Sequence, residues 1–166
     1  MREPGGSKNS EKIRNLILNN KSNFKKNTDL LLYLASRSEN IEYLKKYYKK
    51  KIILLDRFTD STIAYQHFGM GVNLEILNKV NNHLLKSFKV DFTFLNTVSE
   101  KNMKKRLKER KKLNRYDKFE KKFYHRVQKG FIKISKNKKN YKIINSNYPI
   151  EKNKKDIIDK IEALIK

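Results

Sequence analysis

Most of the chain carries apolar residues at helical spacing. They recur every three or four positions, which is the pattern of helices that bury one face. Residues typical of helix N-caps, such as Ser99 and the pair Thr28-Asp29, precede several of these stretches. The pattern predicts helices that begin at Ser10, Thr28, Ile63 and Ser99, helices over 74–85 and 116–135, and a last helix around 157–165.

Three shorter stretches have the pattern of β-strands. The run Ile52-Ile53-Leu54-Leu55 is continuously apolar, which is typical of a parallel strand buried on both faces. Residues 90–95 alternate and are rich in aromatic side chains, and residues 141–145 form a third short stretch. Strands that alternate with helices predict an α/β fold with a parallel sheet, although three strands beside five or six helices make a thin sheet.

Asp56 and Arg57 stand where the first predicted strand ends. Ligands of parallel sheets gather just beyond the carboxyl ends of the strands, so this opposite-charge pair is a candidate for a site. The cap-type residues 59–62 follow it and predict the start of a helix. These residues alone fit an ordinary ion pair and a capped helix as well as they fit a functional site, because charges at strand ends do not always indicate function.

Two further features have two interpretations each. Tyr33 and Arg37 are four residues apart and project from one face of a helix, which by itself favours a half-buried tyrosine beside a surface arginine. The segment 104–115 holds more Arg and Lys than a solvated helix face needs, and this density suits a mobile cover over phosphates. Neither feature alone distinguishes a site from ordinary helix surface.

The composition narrows the class of protein. The chain has 166 residues, no Cys and a formal charge of +24, so it suits one domain without disulfides or thiolate metal sites, in a reducing compartment. Its apolar runs are too short to cross a bilayer and its start does not resemble a signal peptide, so we expect a cytoplasmic protein. The charge favours anionic partners, but basic residues are spread along the chain, so phosphate-bearing small molecules suit it as well as DNA.

Five ordered motifs resemble those of bacterial thymidylate kinases. They are Arg2-Glu3-Pro4-Gly5-Gly6, Glu11-Lys12-Ile13-Arg14, Tyr33-x-x-x-Arg37, Asp56-Arg57-Phe58-x-x-Ser61-Thr62-x-Ala64-Tyr65-Gln66 and Val90-Asp91-Phe92-Thr93-Phe94-Leu95. The similarity extends through the basic segment to residues 141–144 and so covers essentially the whole chain. It implies a P-loop-kinase-like parallel sheet flanked by helices, in a single domain over 1–166 with a basic lid at about 104–116.

The resemblance implies transfer of the γ-phosphoryl group of ATP to dTMP, with Mg²⁺, giving dTDP for dTTP biosynthesis. Such a reaction needs mainly positioning and neutralisation of charge. Arg57 would hold the acceptor phosphate with its planar fork of donors, and Asp56 would orient Mg²⁺-bound water or the acceptor side of the site. In the lid, Arg106, Arg110 and Arg115 would contact the phosphates of ATP, and the last two would thereby assist catalysis.

The resemblance also implies residues for the base and the sugar of dTMP. Tyr33 takes the place of the aromatic residue that stacks on thymine. Arg37 would donate to thymine O4, where cytosine carries an amino group, and Tyr65 would press on the sugar and disfavour a 2′-hydroxyl. The other residues implied to line the pocket are Glu3, Pro4, Arg14 and Ser61, together with Thr62 and Gln66, which would address the base.

One part of the family pattern does not occur in the sequence. Family members open with a strand and a phosphate loop of the form Gly-x-x-x-x-Gly-Lys-Ser/Thr, whereas Gly5-Gly6-Ser7-Lys8 has these residue types in a different order. We therefore expect a sheet lacking its first strand and phosphate loop, with unpaired apolar edges, in a chain that carries the dTMP half of a kinase without competent ATP binding. A partial gene or a start assigned to an internal Met explains this most simply.

Two other functions stay open on the residues alone. The charge of +24 and the segment 104–115 fit a basic, non-catalytic nucleic-acid-binding protein, which predicts tight and steeply salt-dependent DNA binding. Another nucleoside monophosphate kinase could share Asp56 and Arg57, although Arg37 and Tyr65 favour thymidylate. The resemblance further implies a homodimer that binds dTMP and ATP, with no specific nucleic acid and no membrane as partner.

Overall fold

Helices make up most of the computed structural model, which describes residues 1–165. The first elements in chain order are α1 (Lys8–Leu18), α2 (Lys26–Tyr47), α3 (Thr59–Thr62), a π-helix (Ile63–Gly69) and α4 (Leu74–Leu85). They are followed by β1 (Thr93–Thr97), α5 (Glu100–Lys108), a 3₁₀ helix (Arg115–Lys118), α6 (Lys121–Ser135), β2 (Tyr141–Asn145) and α7 (Ile150–Ile165). None of the helices within residues 1–165 combines the length and the apolar character that a membrane span requires.

Local sequence explains where several helices begin. The side chains of Ser7, Asn73 and Ser99 accept hydrogen bonds from backbone N–H groups in the first turns of α1, α4 and α5. Helix α2 differs, because it begins at Lys26 without a side-chain cap, and Asp29 lies inside it as a buried residue. The predicted helices occur, but the helix predicted over 116–135 is divided into the 3₁₀ helix Arg115–Lys118 and α6 from Lys121, and the helix expected to begin at Ile63 is a π-helix. The proposed cap of α2 at Thr28-Asp29 is wrong.

The chain divides into two compact units. One consists of residues 1–89 and 113–134, and the other of residues 90–112 together with the chain from Ser135 onward. The first unit contains three buried apolar clusters, formed by Ile17, Ala64, Tyr116, Phe123 and Val127, by Leu30, Leu34, Val72 and Leu77, and by Ile41, Leu44 and Phe88. The second unit contains both strands.

One face of α2 enters two of these clusters. Leu30, Leu34, Ile41 and Leu44 are all buried, and the buried Arg37 falls between them at the same alternating spacing of four and three residues. Side chains at such positions lie on one stripe of a helix. Arg37 therefore occupies a core position, and the interpretation of a surface arginine is wrong.

The two strands of the second unit pair in parallel. Their register places Thr93 opposite Tyr141 and Thr97 opposite Asn145. The strand predicted over 141–145 is confirmed, and the strand predicted over 90–95 begins three residues later, at Thr93. A parallel pair of this kind agrees with the α/β prediction, because parallel strands require a crossover connection and here α5 and α6 lie between them in sequence.

The predicted strand at 51–55 is wrong for the described chain. Next to it, Asp56 donates its backbone N–H to Met1 O at 2.9 Å and accepts from Glu3 N at 2.8 Å, and the pairing amounts to a single parallel bridge between Arg2 and Asp56. Ile52 and Leu54 are 66% and 64% exposed. A strand needs a ladder of partners, and within residues 1–165 only this short N-terminal segment pairs here.

A π-helix follows the short helix α3. Its wider turn is seen in the hydrogen bond from Met70 N to Tyr65 O, five residues back, at 3.0 Å. Ala64 and Gln66 are buried in it, and Tyr65 is half-buried. Because π-helical turns are rare and often occur at functional sites, this segment directs attention to the motif that contains it.

Candidate functional site

Apart from Arg115, the predicted site residues of the first unit come from six elements or loop positions. Glu3 and Pro4 lie in the N-terminal loop, and Arg14 lies on α1, where its Nη1 donates to Pro4 O at 2.7 Å. Burial lowers the pKa of Arg14, and the nearby charges of Arg2 and Arg57 lower it further. The remaining first-unit positions lie on α2 (Tyr33, Arg37), at the end of the paired segment (Asp56, Arg57), on α3 (Ser61, Thr62) and on the π-helix (Tyr65, Gln66).

Arg37 is the buried centre of this arrangement and is 1% exposed. Its Nε and Nη2 donate to Glu3 Oε2 at 3.0 and 2.8 Å, and Nη2 also donates to Thr62 Oγ1 at 2.8 Å. Its Nη1 donates to Asn81 Oδ1 at 2.6 Å, and the ring of Phe58 lies 5.2 Å from the guanidinium carbon. Two predicted residues, Glu3 and Thr62, and one missed residue, Asn81, therefore fix the guanidinium in one orientation.

Glu3 is held as a buried acid beside this guanidinium. Burial raises its pKa above the ordinary value, although the charge and the hydrogen bonds of Arg37 oppose the rise. Its Oε1 has no hydrogen-bond partner within residues 1–165. Buried ion pairs contribute little net stability, because desolvation offsets their attraction, so this pair serves mainly to fix geometry.

Asp56 and Arg57 have an unusual backbone position. Arg57 has φ 67°, in the left-handed region, where a side chain costs about 1 kcal/mol or more. Both backbone hydrogen-bonding groups of Asp56 are engaged by the N-terminal segment. The guanidinium carbon of Arg57 lies 5.1 Å from the ring centroid of Tyr65. Backbone conformations of this kind concentrate at functional sites, so the geometry supports Arg57 as a site residue.

Tyr33 and Tyr65 lie on either side of a third tyrosine, Tyr116. Its ring is 6.1 Å from that of Tyr33 and 5.9 Å from that of Tyr65, each pair in an edge-to-face arrangement. Burial raises the pKa of Tyr33 to about 12 and also raises that of Tyr116. Tyr33 and Tyr116 therefore stay neutral at physiological pH, and with Tyr65 they form an aromatic wall of which sequence analysis predicted only two members.

Asp29 joins Gln66 to the end of the predicted lid. It is 1% exposed, and its carboxylate accepts hydrogen bonds from Gln66 Nε2 at 3.1 Å, from the hydroxyl of Tyr116 and from Nη2 of Arg115. Sequence analysis assigned Asp29 only to a helix cap. Its position four residues before Tyr33, about one helical turn, was the available signal that it shares the same face.

The other two predicted lid residues, Arg106 and Arg110, belong to the second unit. Arg106 is exposed on α5, and its Nη2 donates to Ser146 O at 2.6 Å within that unit. The side chain of Arg110 is exposed beyond the end of the helix, and its backbone N–H donates to Leu107 O at 3.3 Å. Of the three lid arginines, Arg115 alone belongs to the unit that contains the predicted dTMP residues.

Comparison with known proteins gives a family for this arrangement. The model of the thymidylate kinase family matches residues 1–157. The chain belongs to the thymidylate kinase family. It is 35% identical over 153 residues to a thymidylate kinase of Thermosipho africanus, covering 91% of this chain and 76% of the relative. It is 37% identical over 170 aligned residues to a thymidylate kinase of Mesoplasma florum, covering 97% of this chain and 81% of that relative.

A solved thymidylate kinase also matches the fold. The crystal structure of the enzyme from Ehrlichia chaffeensis is 29% identical, covers 97% of this chain with 78% of its own length, and has a TM-score of 0.74. The predicted family and the predicted P-loop-kinase-like α/β class are both confirmed. The individual site residues of this chain stay predictions.

The residues present would hold a Mg²⁺ ion through water rather than directly. Within residues 1–165 there is no group of three or more His, Asp or Glu side chains that could bind a metal ion. The carboxylate of Asp56 is exposed beside Arg57. Mg²⁺ keeps several waters and is commonly held by one or two carboxylates and by substrate phosphates, so a single carboxylate acting through water is sufficient.

Proposed function

We propose that this chain binds dTMP as the acceptor in a thymidylate kinase reaction, in which the γ-phosphoryl group of ATP passes to dTMP and dTDP forms. Family membership supports the reaction. The observation that carries the assignment to a base-binding site is the network of Arg37. Four of the five N–H groups of an arginine are used by Glu3, Thr62 and Asn81 within residues 1–165, which leaves one N–H on Nη1 for a ligand.

The base side of the proposed site distinguishes thymine from cytosine. The remaining Nη1 N–H of Arg37 would donate to thymine O4, and the amino group of cytosine at the same position cannot accept it. Tyr33, four residues earlier on α2, would stack its neutral ring on the base. Because Arg37 is fixed by several bonds, it cannot easily turn to suit another base, and this rigidity supports selectivity.

The phosphate side of the proposed site would consist of Arg57 and Arg14. Each is a planar fork of donors suited to phosphate, and Arg14 is fixed by its bond to Pro4 O at 2.7 Å. Tyr65, whose ring lies beside Arg57, would contact the sugar, and Ser61 would lie near it on α3. Mg²⁺, held through water by Asp56, would neutralise charge between donor and acceptor phosphates.

The proposed ATP-binding residues and the proposed oligomeric state rest on the family resemblance. Arg106, Arg110 and Arg115 would contact the phosphates of ATP. The density of basic residues in 104–115 suits a polyanion. We propose further that the protein acts in the cytoplasm as a homodimer, with no specific nucleic-acid partner.

Calorimetric titration of the full chain with dTMP, dCMP and thymidine tests this function. We expect dTMP to bind more tightly than dCMP, because of Arg37, and more tightly than thymidine, because of Arg57. The variant Arg57→Ala should bring dTMP and thymidine to similar affinity. Lys79→Ala is the matched control, since it removes one positive charge from an exposed surface pair on α4. Equal binding of dTMP and dCMP by the wild type would refute the proposal.

A further inference from the structure

The buried carboxylate of Asp29 controls the hydrogen bonds of its neighbours. A carboxylate can only accept, so the hydroxyl of Tyr116 must give its single hydrogen to Asp29. The oxygen of that hydroxyl then acts as an acceptor toward Gln66 Nε2, at 3.4 Å, and toward Arg115 Nη2, at 3.3 Å. Asp29 thus sets the direction of these three hydrogen bonds of the Tyr116 hydroxyl.

The amide of Gln66 consequently has one allowed orientation. Its Nε2 lies within hydrogen-bond distance of two acceptors, Asp29 Oδ2 at 3.1 Å and the hydroxyl of Tyr116. Turning the amide over would set its carbonyl oxygen against two acceptor oxygens in a site where Gln66 is 0% exposed. Uncompensated polar contacts of this kind are costly inside a protein. The nitrogen is therefore fixed toward Asp29, and the oxygen is fixed on the opposite side of the amide.

That oxygen is an unused buried acceptor. Gln66 Oε1 has no hydrogen-bond partner within residues 1–165. It lies in the same cluster as Tyr116, whose ring packs against both Tyr33 and Tyr65. Buried polar atoms are nearly always satisfied in folded proteins, so an unsatisfied one beside a candidate ligand site calls for a donor on the ligand.

We propose that Asp29 is a positioning residue for base selection: it holds the amide of Gln66 so that Oε1 is presented as an acceptor to the N3–H of a thymine or uracil ring. This inference rests on the proposed binding of dTMP. Cytosine has a lone pair in place of N3–H, so it would meet Oε1 as a second acceptor. Asp29 thereby contributes to selection at a ring atom different from the one assigned to Arg37.

Replacement of the carboxylate by an amide tests the proposal. In Asp29→Asn the new NH₂ group can donate to the hydroxyl of Tyr116, whose hydrogen can then turn toward Gln66 and permit the opposite amide orientation. We expect the ratio of dTMP to dCMP affinity to fall about tenfold, the scale of one mismatched buried hydrogen bond. Asp91→Asn is the matched control, because it makes the same chemical change at an exposed position.

Methylation of the ligand gives a readout that a purely structural role would not change. N3-methyl-dTMP lacks the N3–H, so the wild type should bind it about tenfold more weakly than dTMP, and Asp29→Asn should show a smaller difference. Gln66→Met serves if Asp29→Asn does not fold, since it removes the acceptor and keeps a similar volume. It should bind dTMP and N3-methyl-dTMP with more nearly equal affinity.

Each outcome decides between the two proposals. Wild-type protein that binds no dTMP overturns both the proposed function and this inference. Wild-type protein that prefers dTMP, with the same preference retained in Asp29→Asn, leaves the function standing and overturns the role of Asp29. An unchanged penalty for N3-methylation in Gln66→Met would overturn it equally. A reduced preference in Asp29→Asn, restored by Asp29→Glu, supports the inference.

Discussion

Removal of the guanidinium of Arg37 is the sharpest test of the buried network. In Arg37→Met, a side chain of similar length fills the space, but Glu3 is left as a buried acid without its cation, and Thr62 and Asn81 each lose a donor. Breaking a buried pair by removing one partner costs about 3–5 kcal/mol. Because Glu3 can take up a proton, we expect the lower end of that range, about 3 kcal/mol, near neutral pH.

A second substitution separates charge from packing. If most of the loss comes from the unpaired carboxylate, then adding Glu3→Gln to Arg37→Met should recover about 2 kcal/mol, since a neutral amide costs less to bury than a charge. If the loss comes from packing, the double variant should be no more stable than Arg37→Met. Lys45→Met, which breaks a surface pair between α2 residues, should change stability by about 1 kcal/mol or less.

Urea unfolding followed by circular dichroism measures these changes. The free energies of unfolding of the wild type, the two single variants and the double variant form one thermodynamic cycle. A loss below about 1 kcal/mol in Arg37→Met would contradict the buried-pair reasoning. The reasoning would equally be contradicted if adding Glu3→Gln to Arg37→Met recovered no stability.

Three further predictions concern pH and packing. Since the pKa of Glu3 is raised in the folded state, its contribution to stability is full below the ordinary carboxyl pKa and declines as the pH rises above that value. Glu3→Gln should flatten this decline, which urea unfolding across pH 4–8 would measure. The pKa of Tyr33 is about 12 and that of Tyr116 is raised too, so ultraviolet titration should show these two phenols ionising above the ordinary phenol pKa of about 10, with stability falling as the pH rises from about 10 to 12. Gly130→Ala would place Cβ 2.6 Å from the Phe68 ring, so it should lower the free energy of unfolding by about 1–3 kcal/mol in urea unfolding. An unchanged free energy of unfolding would show that the ring of Phe68 can move away.

Helices and the family were predictable because their signals are local or ordered along the chain. Apolar spacing indicated α4 without any tertiary information, and its N-cap at Asn73 is visible in the sequence. The same reasoning failed for residues 51–55, because continuous apolarity indicates a buried strand only where neighbouring strands supply the ladder and the cover. Ile52 and Leu54 show this, since they are exposed in a segment that makes only one bridge.

The site could be predicted only in part, because some of its residues are recognised by local motifs and others only by contacts between distant parts of the chain. Motif matching found Arg37 and Gln66, but it could not find the residues that orient them. Asn81 is 44 positions from Arg37, and Tyr116 is 87 positions from Asp29, so these contacts exist only once the helices have packed. An earlier signal was available on α2, where the four-three spacing of Leu34, Arg37 and Ile41 shows that the arginine shares the apolar stripe.

The π-helix Ile63–Gly69 has a consequence for how this segment can change in evolution. Together with the turn before it, it directs three side chains to three different partners: Thr62 to Arg37, Tyr65 to Arg57 and Gln66 to Asp29. Exchanging one side chain disturbs one contact. Inserting or deleting a single residue would rotate all that follows by about 100° and misdirect the set together. This segment should therefore tolerate changes of residue type while keeping a constant length.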